Sequence, residues 1–191
     1  MAAAIFRCVL TRDSVFSAAF PHEIVENGFA YRVTCSLHEG LEALASDPAD
    51  STSEAEVPMS AIDAVRWASL NQLTLDRPAF IKRWQRYTTE LQRHWLARGA
   101  DARAERLALE GQLFAKKLLR QFDELDFFCT ADGDPSSCLA VLHYCDADGL
   151  TPCLYVLVDG VTDDDSPGTD EASSPGDGGA SDEADGGSAA R

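Results

Sequence analysis

The residues of this sequence that could do chemistry are six cysteines, four histidines and a few short aspartate clusters. The cysteines and histidines are Cys8, Cys35, Cys129, Cys138, Cys145 and Cys153, with His22, His38, His94 and His143. There is no Cys-x-x-Cys pair, and the spacing of the last three cysteines matches no zinc signature. Because cysteine packs in strands as a small apolar residue, buried free thiols are the favoured interpretation. A disulfide framework, a metal site and redox chemistry remain alternatives.

The aspartate clusters resemble fragments of a calcium loop. They occur at Asp132-Gly133-Asp134 and Asp146-Ala147-Asp148-Gly149. An EF-hand would need an oxygen ligand at position 150 and a glutamate at 157, where Leu150 and Leu157 stand. Asp-Gly turns of β-hairpins are therefore favoured, and weak calcium binding stays open. No histidine lies in a nucleophile context and no glycine-rich phosphate loop follows a strand, so we expect no enzyme activity and no resident cofactor.

The charge excludes several classes of partner. The chain has 191 residues, with 16 lysines and arginines against 32 aspartates and glutamates, and its formal net charge is −16 at pH 7. An acidic chain is repelled by nucleic acid and anionic lipid. No apolar run approaches the roughly 20 residues that span a bilayer. Met1 to Leu10 lack the apolar segment and cleavage site of a signal peptide. We expect no nucleic-acid partner, no membrane insertion and no secretion.

Two amphipathic helices must position the central charges. Each has one apolar stripe whose residues follow at steps of 3 and 4. The stripe of the first helix is Phe80, Trp84, Tyr87, Leu91 and Trp95. The stripe of the second helix is Leu107, Gly111, Phe114, Leu118, Phe122 and Leu125. Asp76 is the predicted N-cap of the first helix, Gly99 its C-terminal cap, and Asp101 the N-cap of the second. The short connection predicts an antiparallel helical hairpin over residues 76–125.

The flanking segments are predicted to be strands. They are short, bounded by Asn-Gly, Asp-Gly and Gly-Asp-Pro turns, and rich in β-branched, aromatic or cysteine residues: Ile5–Leu10, Phe29–Cys35, Asp126–Cys129, Cys138–Cys145 and Leu154–Val158. The segments at 138–145 and 152–158 form the clearest predicted β-hairpin. The expected fold is therefore a β-rich α+β domain over residues 1–161 with an inserted, projecting helical hairpin.

Charge is distributed very unevenly along this architecture. Residues 162–191 contain nine acids and one base, with no large apolar residue, which predicts a disordered acidic tail. Residues 44–58 contain acids and no base, which predicts a mobile acidic loop. Residues 78–122 contain ten bases and four acids, giving +6 inside a chain of −16. A solvated helix face usually mixes both signs, so this excess indicates binding of an acidic protein.

Two stretches of the chain resemble the translationally controlled tumour protein family. The residues that carry the resemblance near the start are Ile5–Arg7, Leu10–Ser17, Phe20-Pro21, Glu23-Ile24 and Glu26-Asn27-Gly28. Those near the end are Phe122–Cys129, Leu139–Tyr144, Asp148–Pro152 and Val158–Gly160. The resemblance covers residues 4–161. It implies a β-tent fold, in which two sheets meet at an angle, with a projecting helical hairpin. It also implies a cytoplasmic, non-enzymatic, multi-partner protein linked to growth control, microtubules, calcium and cell survival.

The chain departs from the family pattern at several positions. Thr130-Ala131 replaces the usual Gly-Glu, and the acidic tail lies beyond the usual end of the family. Asp13 is retained, but Ser14 occupies the position of the glutamate through which the family is proposed to act as an exchange factor on a Rheb-like small GTPase. Serine lacks the charge and reach of glutamate, which argues against exchange activity. Exchange or chaperone activity through Asp13 and Ser14 is therefore kept as an alternative function, behind partner binding. Thiol-based redox activity is a second alternative.

The charge of the basic hairpin and the family resemblance both indicate binding to an acidic protein partner. The acidic C-terminal tails of tubulin are a surface of the opposite sign. We expect binding to be carried by Lys82, Arg83, Arg86 and Arg93.

Overall fold

The computed structural model describes residues 3–37, 62–130, 134, 137–145 and 150–163. Its strands are β1 Ile5–Cys8, β2 Ser14–Ser17, β3 His22–Val25, β4 Ala30–Thr34, β5 Asn71–Leu73, β6 Asp126–Cys129, β7 Leu139–Tyr144, β8 Pro152–Leu157 and β9 Val161–Asp163. Its helices are α1 Asp63–Trp67, α2 Arg77–Leu96 and α3 Asp101–Arg120. None of the helices in these described stretches has the length and apolar character needed to cross a membrane.

The strands form two antiparallel sheets. The small sheet has the order β2-β1-β9, and the large sheet has the order β3-β4-β8-β7-β6-β5. A 3-10 turn at Val158–Gly160 carries the chain from β8 of the large sheet to β9 of the small sheet. The sheets meet through aromatic side chains, because Phe6 of β1 lies 5.2 Å from Tyr31 of β4 between ring centroids. Two sheets and a helical hairpin make an α+β fold, as the sequence predicts.

The helical hairpin packs through its two apolar stripes. Phe80 contacts Phe127 of β6 with ring centroids 5.1 Å apart. Phe114 contacts Phe29, which directly precedes β4, at 5.7 Å. The two helices are joined at their centres, where Trp84 Nε1 donates to the Gly111 carbonyl at 3.1 Å. These stripes are the ones the sequence spacing indicates, since apolar side chains three and four residues apart share a helix face.

The ends of the two helices follow local rules with two exceptions. Asp76 caps α2, its carboxylate accepting from the Ala79 amide at 2.7 Å. The predicted C-terminal cap at Gly99 is wrong by two residues, because Ala97 is the C-cap of α2, while Gly99 has φ of 69° in the left-handed region that glycine tolerates. The prediction that Asp101 caps the second helix is wrong, because Ala100 is the cap and Asp101 is the first helical residue. An acid in the first turn still interacts favourably with the helix dipole.

Several short elements have no counterpart among the sequence predictions. These are β2, β3, β5, β9 and α1. The predicted boundary between residues 161 and 162 falls inside β9, where Thr162 pairs with Arg7 and Asp163 with Phe6 of β1. The remaining tail, residues 164–191, and the predicted acidic loop at 44–58 lie outside the described residues.

Two of the six cysteines form a disulfide, so the expectation that all are free thiols is wrong. Cys145 follows β7 and Cys153 lies in β8, and their sulfurs are bonded with the two Cα atoms 5.9 Å apart. The physical reason is strand register. His143 lies opposite Cys153 in the antiparallel ladder of β7 and β8. Cys145 follows two residues after His143 and therefore lies close enough to Cys153 for a disulfide. Cys8, Cys35, Cys129 and Cys138 are buried and form no disulfide among the described residues, as expected.

Candidate protein-binding surface

A row of cations occupies the solvent face of α2. Lys82, Arg86 and Arg93 are exposed, and their spacing of four and seven residues places them on one side of the helix, opposite Phe80. Arg93 is 70% exposed and donates to the Glu90 carboxylate at 2.7 Å. Within the described residues, the other two cations have no ion-pair partner. We call Lys82, Arg86 and Arg93 the α2 stripe.

Arg83 differs from its three predicted companions. It is half-buried and points toward the segment before β7, where its guanidinium donates to the Asp134 carbonyl at 3.0 Å and the Ser137 hydroxyl at 3.3 Å. Its Nε is buried without a hydrogen-bond partner among the described residues. The side chain therefore braces α2 against the large sheet. Partner binding by Arg83 stays a prediction.

Other cations of the hairpin attach it to the β-sheets. Asp159, in the 3-10 turn before β9, is only 2% exposed, and its carboxylate accepts from Arg106 Nε at 3.0 Å and from Arg106 Nη2 at 2.6 and 2.7 Å. Arg103 lies 4.0 Å from the same carboxylate. The Trp95 ring lies beneath Arg103 at 4.4 Å, and its Nε1 donates to the Asp159 carbonyl at 2.9 Å. We call Asp159, Arg103, Arg106 and Trp95 the Asp159 cluster.

Ion pairing reduces the charge that the hairpin offers to a partner. Besides the Asp159 cluster, Lys117 pairs with Glu26 beside β3. The value of +6 from the sequence therefore counts cations that are already neutralised within the fold. In the α2 stripe, Lys82 and Arg86 have no ion-pair partner among the described residues, and Arg93 is 70% exposed although it pairs with Glu90, so the stripe is the part of the predicted surface most open to acidic groups.

The predicted GTPase-contact residues lie in the turn between β1 and β2. Asp13 and Ser14 are both half-buried. The Asp13 carboxylate accepts from the Thr11 hydroxyl at 2.8 Å, and the Ser14 hydroxyl accepts from Arg7 Nη1 at 3.0 Å. Arg12, between Thr11 and Asp13, is exposed and has φ of 68°. The turn thus presents a cation, while its acid and its serine are engaged by neighbours.

The structure brings this turn close to the end of α2, which sequence reasoning missed. The Val9 amide donates to the Gly160 carbonyl at 3.0 Å, next to the Asp159 cluster that holds Trp95. Burial, Arg98 and Arg12, in that order, lower the pKa of His94. Arg98 Nη1 lies 3.1 Å from His94 Nδ1. We call Arg12, His94 and Arg98 the tip cluster. No sequence signal links Arg12 to His94, because 82 positions separate them.

The described part of the chain gives no support to a metal site or to reactive thiols. No group of three histidine, cysteine or acidic side chains in it could hold a metal ion. Three of the four Asp positions in the calcium-like clusters, Asp132, Asp146 and Asp148, lie outside it. Burial raises the pKa of the Cys35 thiol to about 12 and raises that of Cys138 as well. These two thiols therefore stay protonated and unreactive at neutral pH.

Comparisons with known proteins agree on one family. The sequence model described as "Translationally controlled tumour protein" matches residues 3–162. A homologue of that protein from Yarrowia lipolytica is 25% identical over 166 residues, covering 84% of this chain and 98% of the relative. A homologue from Alternaria alternata is 23% identical over 166 residues, covering 82% and 96%.

Solved structures show the same fold. A translationally controlled tumour-associated protein from Schizosaccharomyces pombe superposes with a TM-score of 0.65 at 19% identity, covering 84% of this chain and 98% of that one. The solution structure of the protein from Caenorhabditis elegans gives a TM-score of 0.63 at 21% identity, covering 84% and 97%. With the family model spanning both sheets and the helical hairpin, the chain belongs to the translationally controlled tumour protein family.

Proposed function

We propose that this protein is a cytoplasmic, non-catalytic, multi-partner regulator that binds acidic protein surfaces through the α2 stripe. The tubulin C-terminal tails are the first such surface to test, and roles in growth control, calcium binding and cell survival follow from the family. The carrying observation is that Lys82, Arg86 and Arg93 share one exposed helix face on which Glu90 is their one close carboxylate among the described residues. A flexible acidic tail can lie along such a row and form several charge-assisted contacts.

The strength of this contact is limited by solvent. An exposed ion pair contributes about 0.2–1 kcal/mol, so three contribute about 0.6–3 kcal/mol together. Charges are screened over about 8–10 Å at physiological ionic strength. Binding is therefore moderate in strength, strongest at low salt, and weakened progressively as salt rises.

The test is co-sedimentation with microtubules at low salt. We expect the triple charge reversal Lys82→Glu, Arg86→Glu and Arg93→Glu to weaken binding at least tenfold, because it replaces attraction by repulsion. The matched control reverses three other exposed cations, with the substitutions Arg66→Glu, Lys116→Glu and Arg120→Glu, which change the net charge equally. Equal losses in the two triple variants would show that net charge, and not the α2 stripe, carries binding.

Two further arms sharpen this test. Trimming the acidic tails from microtubules should weaken binding of the wild-type protein as much as the triple charge reversal weakens binding to intact microtubules. Arg83→Gln is measured separately, because it breaks contacts that hold α2 on the sheet, and its folded fraction must be compared by circular dichroism first. Undiminished binding to trimmed microtubules would contradict tubulin tails as the partner.

The alternative of nucleotide exchange on a Rheb-like GTPase receives less support. Exchange would need an acidic group at position 14, where the Ser14 hydroxyl accepts from Arg7 instead. We expect little acceleration of nucleotide release from such a GTPase. Acceleration that disappears in Asp13→Asn would favour the alternative.

A further inference from the structure

The tip cluster joins two arginines and a histidine, and no acid of the described residues forms an ion pair with any of the three. Arg12 comes from the β1–β2 turn, His94 from the last turn of α2, and Arg98 from the connection to α3. Like charges held together cost free energy unless an anion is present. Arg98 Nη1 lies 3.1 Å from His94 Nδ1. Burial is the largest cause that lowers the His94 pKa, and Arg98 and then Arg12 lower it further, as repulsion between like charges requires.

The acids nearest in the chain or on the packed elements accept hydrogen bonds from other side chains. Asp13 accepts from Thr11, Glu90 from Arg93, and Asp159 from Arg106. The other charged groups on the elements packed here are Arg103, which lies over Trp95, and Asp101 at the start of α3. None of these five residues is among the causes that shift the His94 pKa.

We propose that the tip cluster is a second binding site, which takes the carboxylates of an acidic peptide segment from a partner protein. His94 and Arg98 lie four residues apart, at and just after the end of α2, whereas Arg12 comes from a turn 82 residues before His94, so the complete site exists only in the folded domain. Two guanidinium groups provide paired donors for carboxylate oxygens, and the imidazole adds a third when it is protonated. The proposal shares with the proposed function only the class of partner, because its residues lie outside the α2 stripe.

The geometry also makes this site sensitive to protons. A guanidinium group can only donate, so the contact of Arg98 Nη1 with His94 Nδ1 requires that this nitrogen be unprotonated. When His94 gains a proton there, Arg98 is released, and both can point to a bound carboxylate. An anion in the site favours the charged imidazole. By linkage, proton uptake by His94 then strengthens binding.

The sign of the pH effect follows directly. In the free protein the pKa of His94 is lowered from its usual 6.5, so the ring is neutral at pH 7.5. Bound carboxylates raise it. Each unit of rise corresponds to a tenfold gain in affinity once the pH is below the pKa of the free protein. We therefore expect hexaglutamate to bind more tightly at pH 5.5 than at pH 7.5, by at most about tenfold for each unit by which the pKa rises.

The experiment titrates the full chain with hexaglutamate, following the histidine C2 protons by NMR and the affinity by fluorescence anisotropy. The His94 signal is assigned with His94→Gln. We expect saturating peptide to raise the His94 pKa by about one unit. We also expect Arg12→Gln combined with Arg98→Gln to weaken binding about tenfold. The control Lys116→Gln combined with Arg120→Gln removes the same charge from another exposed surface and should bind almost normally.

The outcomes separate this inference from the proposed function. A His94 pKa that does not respond to hexaglutamate, or equal losses in the tip and control variants, overturns the tip site. The Lys82, Arg86 and Arg93 triple reversal should leave the His94 response in place, whether or not it abolishes microtubule binding. A phosphorylated peptide without acidic neighbours that binds at least as tightly as hexaglutamate would also overturn it, by assigning the site to phosphate.

Discussion

Substituting Asp159 by asparagine should loosen the attachment of the helical hairpin to the sheets. The change keeps the shape of the side chain and removes its charge. Asp159 is 2% exposed and accepts three close contacts from Arg106, whose side chain is 35% exposed. Removing one partner of a fully buried ion pair costs about 3–5 kcal/mol. Because water still reaches Arg106, we expect a loss of about 2–3 kcal/mol in the free energy of unfolding.

An exposed pair on the same hairpin provides the comparison. Arg77 and Asp123 are 2.8 Å apart, with side chains 50% and 83% exposed. Such a pair contributes about 0–1 kcal/mol, so Asp123→Asn should have little effect. In a domain of this size 1 kcal/mol corresponds to about 2–4 °C in Tm. Asp159→Asn should therefore lower Tm by about 4–12 °C, and Asp123→Asn by less than about 4 °C.

The assay is urea unfolding followed by circular dichroism and by tryptophan fluorescence, since Trp95 lies in the Asp159 cluster. A double-mutant cycle with Arg106→Gln isolates the pair, and we expect a coupling energy of about 2 kcal/mol. A coupling below about 0.5 kcal/mol, or equal losses in Asp159→Asn and Asp123→Asn, would refute the claim that this ion pair attaches the hairpin.

Two further predictions concern side chains near the sheets. Cys145→Ser should cost about 2.5 kcal/mol, the entropy expected for a closed loop of about eight residues, and dithiothreitol should destabilise the wild type but not the variant in thermal unfolding. Gly160→Ala should cost about 1–3 kcal/mol, because the new Cβ would clash with the Tyr87 hydroxyl. Tyr87→Phe alone should change the stability little, because the buried hydroxyl has no oxygen or nitrogen partner among the described residues and only the weakly bonding Cys138 thiol beside it. Combining the two changes should recover most of the Gly160→Ala loss in urea unfolding, and an additive result would contradict the clash.

Local signals in the sequence predict the helices and fail at the small strands. The apolar spacing of α2 and α3 and the cap at Asp76 depend on residues close in the chain. Strand β3 is an edge strand of four residues with exposed side chains, so it has little of the alternation that identifies a strand. Strand β9 forms only because β1 is present to pair with it. Pairing partners distant in the chain leave no local pattern.

The candidate sites divide in the same way. Helical geometry alone places Lys82 and Arg86 on one face and turns Arg83 about 100° away from Lys82. The different direction of Arg83 can therefore be predicted in part from the sequence. The packing of the hairpin on the sheets decides two other contacts. It brings Arg83 to the segment before β7, and it brings Arg12 near His94. The disulfide likewise depends on the register of β7 against β8.

The pairing of β9 with β1 has a consequence for the order in which the protein folds. Cys8 and Val161 are opposite each other in the small sheet, so roughly 150 residues separate the two sides of this ladder. At about 5–20 residues per second, synthesis of that length takes on the order of 8–30 s, during which β1 has only β2 beside it. The unpaired edge of β1 is then open to wrong pairing with another chain. Closing this sheet should be a late, slow step, because the loop entropy must be lost before the contacts form.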